Sequence, residues 1–176
     1  MSKLHTLALR VVRPDTQRRF YRSVMGMFTL GNGGLGYSDR EMRLIFTQAE
    51  TPYCPQPSDL YWKIAVSVPN IELAYRQLVS RGAQVSKPHQ FRDVGYLAHI
   101  TDPEGFTVEL IEHWFQGDRP RRSVDETLLG GGPHISLLTL RSADIARVEP
   151  DLLKLGMRPL GVQPVEPYGC PLYFYG

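Results

Sequence analysis

The side chains of this 176-residue chain that could do chemistry stand at repeated places. His5 and His134 each open an apolar run typical of a strand, and Lys63 opens a third such run. Glu109 lies in an alternating apolar run, where an unpaired carboxylate is costly, so it needs a partner. Imidazole and carboxylate groups can ligate a divalent metal, whereas an ammonium group must first lose its proton. The residue types therefore allow either a metal site or an ion pair.

Both interpretations stay open at this level. His5 and Glu109 supply two of the three or four N and O ligands that a divalent-metal enzyme needs, and His99 would supply a third if its side chain reaches them. Alternatively, Lys63 pairs with Glu109 and replaces the metal with a fixed cation, and Arg43 and Lys63 then contact an anionic ligand. Three converging ligands would favour an enzyme, and an ion pair would favour a binding protein.

A repeat positions these residues. Three segments share the order of a strand, a helix and a glycine that can take the left-handed conformation at a helix end. Alternation of apolar and polar residues after the glycine predicts about three further strands in each unit. Asn70 is expected to cap the middle helix, and Pro150 is expected to interrupt the third one. The glycines that end the three helices are Gly26, Gly82 and Gly156.

The repeat also predicts the organisation of the chain. We expect paired units over residues 1–115, divided into 1–55 and 58–115, and a linker over 116–132. The linker contains three consecutive glycines, Gly130–Gly132, which we interpret as a flexible joint. An incomplete third unit over 133–176 lacks its last strand, which suggests a fragment of a longer protein or a partner chain that completes the sheet.

The composition excludes several classes of protein. Apolar residues make up 42% of the chain and charged residues 22%, and the net charge is only +2, which argues against a nucleic-acid partner. Two cysteines are too few for a disulfide scaffold, and no apolar run is long enough to cross a membrane. We expect a cytoplasmic globular protein.

Three motifs carry a family resemblance. His5 opening an apolar strand, the helix end Phe20-Tyr-Arg-Ser-Val-Met-Gly26, and the run Tyr96-Leu-Ala-His-Ile-Thr-Asp-Pro-Glu-Gly-Phe-Thr-Val-Glu-Leu110 resemble the vicinal oxygen chelate superfamily. This superfamily contains glyoxalase I, bleomycin- and fosfomycin-resistance proteins and extradiol dioxygenases. The resemblance implies an α+β fold in which tandem βαβββ modules pair into a half-open barrel, here with a third module cut short.

The resemblance also implies a site. In the family, metal ligands come from the first strand of a module, usually as His, and from its last strand, usually as Glu. The implied cofactor is a divalent metal, with Fe(II) or Mn(II) favoured and Zn or Ni as alternatives. Arg43 and Lys63 depart from the pattern, because they stand where the family has an acid and a His. The implied metal ligands are His5, Glu109 and His134, and the implied substrate contacts are Arg43, Lys63 and His99; no catalytic residue is assigned.

The expected function is a divalent-metal enzyme acting on a small substrate with vicinal oxygens. The module count favours an extradiol dioxygenase-like arrangement, in which the first pair of modules has lost its metal and His134 belongs to a second pair. Two alternatives remain, a glyoxalase-type lyase or isomerase and a metal-free protein of the drug-sequestering type. For the latter, Tyr61, Trp62 and Tyr96 would line the pocket. A small molecule is the expected partner, and the incomplete third sheet favours a homodimer.

Overall fold

The computed structural model describes residues 4–31, 33–56, 60–92, 94–114, 118–165 and 169–176. Part of the predicted linker, residues 115–117, lies outside these ranges. The chain forms two compact units, a larger one over His5–Arg141 and a smaller one that contains Ser142–Gly176.

The first βαβββ module forms a four-stranded sheet in the order β1-β4-β3-β2, in which β1 and β4 are parallel. Pro14 begins its helix, a position where the missing N–H of proline costs nothing. The elements are β1 (Thr6–Val11), α1 (Pro14–Ser23), β2 (Phe28–Thr29), β3 (Leu35–Gly36) and β4 (Arg43–Gln48).

The second module repeats this order, and its sheet gains a fifth strand from the third module. The predicted cap of its helix is present, since the Asn70 side chain accepts a hydrogen bond from the backbone N–H of Leu73. The sheet order is β6-β7-β8-β5-β9, with β5 parallel to β8 and antiparallel to β9. The elements are β5 (Tyr61–Ser67), α2 (Ile71–Ser80), β6 (His89–Phe91), β7 (Gly95–Thr101), β8 (Thr107–His113) and β9 (His134–Leu140).

The smaller unit carries the rest of the third module. A helix, α3 (Ile145–Lys154), precedes an antiparallel hairpin of β10 (Pro159–Val165) and β11 (Cys170–Tyr175). The expected interruption at Pro150 is wrong, because the helix continues through this residue. The α+β fold of tandem βαβββ modules is confirmed, and the sheets are not closed into barrels.

One apolar core serves the first two modules. It joins the inner faces of both sheets to α1 and α2, and Tyr21 lies in it with no exposed surface. Apolar burial of this extent is the main favourable term in folding. Strand residues that contribute to the core include Leu9, Val11, Leu44, Ile64, Val66, Val108 and Leu110.

The Asp-Pro-Glu-Gly turn before β8 ties the two modules together. The buried Asp102 carboxylate accepts hydrogen bonds from the Gln17 amide at 2.6 Å and the Tyr21 hydroxyl at 3.0 Å, both on α1. It also accepts from the backbone N–H groups of Glu104 and Phe106, which closes the turn. Burial nevertheless raises the pKa of Asp102 above its ordinary value. The signature turn is therefore a structural link between modules.

Glu104 caps α1 from the other module. Its carboxylate accepts hydrogen bonds from the backbone N–H groups of Val12 and Arg13, each at 3.0 Å, just where α1 begins. Arg13, the N-cap residue, makes no side-chain cap of its own, so a distant glutamate takes that role. No local sequence pattern predicted this contact.

The segment around the three glycines packs against α2. The Leu129 N–H donates to the Gln77 side-chain oxygen at 2.6 Å, and the Gln77 amide donates to the Thr127 carbonyl at 3.0 Å. Leu129 is fully buried although its φ is 62°. The predicted joint thus contains a turn that is hydrogen-bonded to α2 through Gln77.

Candidate functional site

The candidate site lies on the face of the five-stranded sheet that points away from the shared core. Register places His99 of β7 beside Glu109 of β8, and Glu109 beside Ala65 of β5. Lys63 lies two residues before Ala65 and therefore shares its face. The side chains of three strands thus meet at Glu109.

A buried ion pair forms the centre of the site. The Lys63 ammonium donates a hydrogen bond to Oε2 of Glu109, and the two side chains are only 9% and 6% exposed. His99 completes the cluster, with Nε2 3.2 Å from Oε2 of Glu109 and 3.3 Å from Nζ of Lys63. Its side chain keeps 30% of its accessible surface. We call these three residues the lysine cluster.

The electrostatics of the lysine cluster keep the carboxylate ionised. Burial alone raises the pKa of Glu109, but the hydrogen bond from His99 and the charge and hydrogen bond of Lys63 outweigh burial and leave the pKa below its ordinary value. Lys63 and Glu109 therefore face each other as opposite charges whose sum is zero.

Polar and apolar rows border the lysine cluster. Thr107 pairs with both Lys63 and Thr101, and Thr139 pairs with Lys63 from the other side. On the opposite side lies an apolar group of four buried residues, against which two partly buried ones pack. The threonines were not among the predicted site residues, although the period of two predicts their face. The apolar group consists of Ala65, Val94, Leu97 and Ile111, with Phe91 and Leu137 partly buried.

His5 does not hold the place in β1 that Lys63 holds in β5. It precedes the strand, and its position has the same parity as the core residues Leu9 and Val11. Thr6, five residues before the buried Val11, corresponds to Lys63, five residues before the buried Val68. By this register Thr6, and not His5, corresponds to Lys63, because a one-residue shift turns a side chain to the other face of a sheet. The assignment of His5 as a metal ligand stays a prediction.

Arg43 likewise does not correspond to Glu109. It pairs with Thr6, as Thr107 pairs with Lys63, whereas Ile45 pairs with Ala8 as Glu109 pairs with Ala65. The Arg43 guanidinium donates to the Thr6 hydroxyl at 2.9 Å. Ile45 thus stands at the predicted acidic position of the first module, and that module offers no carboxylate there.

His134 begins β9 and pairs with Ser67 of β5, and Ser67 pairs on its other side with Ile111 of β8. Its Nδ1 lies 3.3 Å from the Gly132 carbonyl oxygen. The pKa of His113 is lowered by burial and, less strongly, by the charges of Arg122 and His134. No hydrogen bond or ion pair within the described ranges joins His134 to Glu109 or His5.

The donor set does not fit a divalent metal. In the part of the chain that the structure describes, no three His, Cys, Asp or Glu side chains come close enough to hold one. Glu109 and His99 supply two donors, and the Lys63 ammonium, which has no lone pair, contacts both. The residues that do converge suit hydrogen bonding to a ligand instead.

The aromatic residues predicted to line a pocket divide between two places. Trp62 stays near the site, with the centroid of its ring 4.7 Å from Nζ of Lys63 and 5.3 Å from the Arg141 guanidinium carbon. Tyr61 packs edge-on against Phe106 and belongs to the main core. Tyr96 also packs on that core and is partly buried, like Tyr61. A pocket-lining role of the two tyrosines stays a prediction.

Comparison with known proteins agrees with this architecture. A sequence profile of the glyoxalase/bleomycin resistance protein/dioxygenase superfamily matches residues 3–110. No curated protein matches the chain at a significant level. None of the described helices is both long and apolar enough to cross a membrane.

Solved structures share the fold at low identity. Glyoxalase I from Zea mays has a TM-score of 0.75 and 17% identity; the match covers 100% of this chain and 63% of the maize protein. TnmS3, an antibiotic binding protein from Streptomyces sp. CB03234, has a TM-score of 0.51 and 19% identity over 65% of this chain and 98% of its own. The profile match spans more than half of the sequence. The chain therefore belongs to the glyoxalase/bleomycin resistance protein/dioxygenase superfamily.

Proposed function

We propose that this protein binds a small organic molecule at the lysine cluster without a divalent metal. One observation carries the proposal: the Lys63 ammonium is bonded to the buried Glu109 carboxylate, at the centre of the site. Lys63 brings a fixed positive charge but no open coordination position, so it compensates the carboxylate without polarising a substrate as a Lewis acid would.

The fold is compatible with such a role. An antibiotic binding protein of similar fold, TnmS3, shows that this architecture can serve binding, although a fold by itself does not determine function. The face that carries the lysine cluster combines the partly exposed His99 with threonine hydroxyls and neighbouring apolar side chains. A few fixed polar groups beside apolar surface are the usual composition of a small-molecule site.

The alternative function is a divalent-metal enzyme, either extradiol dioxygenase-like or of the glyoxalase type. It requires a third N or O ligand beside Glu109 and His99, and it requires the Lys63 ammonium to leave the carboxylate. Because Lys63 is itself buried, leaving would separate two charges in a region that excludes water. The cytoplasmic location and the homodimer remain predictions from the sequence.

Binding in the presence of a chelator tests the proposal. A library of small aromatic and hydroxylated compounds is screened by protein-detected NMR, first with EDTA and then with added Zn²⁺ or Mn²⁺. We expect compounds that shift the signals of His99 and Thr107 equally well under both conditions. The matched variants are K63M/E109M, which removes the buried pair, and K154M/D151N, which removes an exposed pair on α3.

We expect the buried double variant to lose binding and the exposed one to keep it. Compounds that bind only after metal is added would overturn the proposal and favour the enzyme. Binding that survives in K63M/E109M would move the site away from the lysine cluster.

A further inference from the structure

His99 is the member of the lysine cluster that a bound molecule meets first. Its side chain is 30% exposed, against 9% for Lys63 and 6% for Glu109. Contacts with these two residues occupy Nε2, the inner nitrogen of its ring. Among the described residues Nδ1, the outer nitrogen, makes no hydrogen bond. A ligand at this face can therefore bond to Nδ1.

The contacts of Nε2 decide what Nδ1 can do. An ionised carboxylate only accepts hydrogen bonds, and an ammonium only donates them. At 3.2 Å from the Glu109 oxygen, an Nε2 without a proton would bring two lone pairs together, whereas Nε2–H donates to that oxygen. The ammonium of Lys63 can turn its hydrogens away from the ring, because Glu109 accepts one of them. The neutral imidazole then carries its free lone pair on Nδ1, which is an acceptor.

The charge of the site selects among ligands that can donate to such an acceptor. The opposite charges of Lys63 and Glu109 cancel, so the site attracts a carboxylate ligand only weakly, and the Glu109 carboxylate repels it. A neutral hydroxyl group avoids this repulsion and donates directly to Nδ1. An aromatic ring attached to that hydroxyl finds apolar surface nearby, since the partly buried Phe91 and Leu137 lie on the same face.

We infer that the site prefers phenols and enols, whose acidic O–H donates to Nδ1 of His99, over ethers of the same shape. This inference rests on the proposed binding function and names the class of its ligand. The hydrogen bond from the ligand extends a series in which Nε2–H of His99 and the Lys63 ammonium both donate to Oε2 of Glu109. Hydrogen bonds in such a series polarise and strengthen one another.

A pair of probes separates the hydroxyl from the rest of the ligand. Binding of 4-cyanophenol and of 4-cyanoanisole, which replaces the hydroxyl with a methoxy group, is measured by equilibrium dialysis with EDTA present. The variants are H99L and the matched control H89L. His89 is a suitable control because it is exposed and its ring centroid lies 6.4 Å from that of His99.

We expect wild type and H89L to bind the phenol roughly two- to tenfold more tightly than the ether, the worth of one hydrogen bond. In H99L the two affinities should become equal. Because damage to the fold weakens both probes together, their ratio reports the hydrogen bond alone. Equal binding of both probes by wild type, or a preference that persists in H99L, would overturn the inference and leave the binding function intact. If wild type binds neither probe at millimolar concentration while other compounds bind, the inference fails alone; if nothing binds, the proposed function fails with it.

Discussion

Replacement of Lys63 by methionine should strongly destabilise the larger unit. The substitution keeps most of the apolar stem but leaves the Glu109 carboxylate, which is 6% exposed, without its ammonium partner. Breaking a buried ion pair from one side costs about 3–5 kcal/mol. His99 stays 3.2 Å from the carboxylate and compensates part of the loss, so we expect about 3 kcal/mol.

Urea denaturation followed by tryptophan fluorescence measures this loss, because Trp62 and Trp114 both belong to the larger unit. The double variant K63M/E109M removes both charges and should regain most of the stability, to within about 1 kcal/mol of wild type. The control K154M removes an ammonium that is 76% exposed and should change stability by less than about 0.5 kcal/mol. A K63M protein as stable as the control would refute the buried pair.

Three further predictions concern stability. E104Q weakens the cap that Glu104 provides to α1 and should lower the free energy of unfolding by about 2 kcal/mol. The control D15N, on the exposed first turn of the same helix, should lower it by less than about 1 kcal/mol. Urea denaturation compares the two variants, and equal losses of stability would contradict the capping role. G130A should lower the free energy of unfolding by about 1–2 kcal/mol in thermal unfolding, because Gly130 has φ of 80° and a Cβ would lie 3.2 Å from a side-chain carbon of Pro69. The control G31A places a Cβ in open space and should be nearly neutral. A neutral G130A would show that the turn relaxes freely. The pKa of Glu109 is below its ordinary value of 4.5 in the folded chain, so its contribution to stability is present above that value and is lost as the pH falls through the lowered pKa. The free energy of unfolding of wild type should therefore decrease on acidification below about pH 5, and the decrease should be less steep in E109Q. Identical slopes in the two proteins would mean that the protonation of Glu109 is not linked to folding.

The spacing of apolar residues predicted the architecture, because that spacing follows from which face of each strand or helix is buried. The alternation around Glu109 and the helical spacing after Asn70 both reflect one apolar face, and the structure has a strand and a capped helix there. Pro150 was misleading, since a proline removes one backbone hydrogen bond without preventing the turn before it from being helical.

The residues of the site were harder to predict, because a site depends on which face each strand presents. His5 has the residue type of a metal ligand, yet the parity of Leu9 and Val11 directs its position to the core side of β1. That parity could have been read from the sequence, and it identifies Thr6. The partnership of Lys63 with Glu109 followed from electrostatics, because a carboxylate in an apolar strand needs a cation or a donor.

Contacts between distant segments could not be predicted from local pattern. Glu104 lies about ninety residues from the helix that it caps, and no spacing rule connects them. The ordered turn at Leu129 is a similar case, because its support comes from Gln77 on α2 and not from its own glycines. Local rules describe what the glycines permit, and packing decides which conformation they take.

The central claim is that Lys63 occupies the place beside Glu109 and His99 that a third metal ligand would need, so that the lysine cluster holds no divalent metal. Titration calorimetry of Zn²⁺, Ni²⁺ and Mn²⁺ tests it most directly, on wild type and on the variants K63H and K63Q. K63H adds an imidazole to Glu109 and His99 and so completes three N and O donors, whereas K63Q removes the charge and adds no metal ligand of that kind. The account predicts one bound equivalent of metal for K63H and none for wild type or K63Q. Stoichiometric binding by wild type that is lost in E109Q would contradict it.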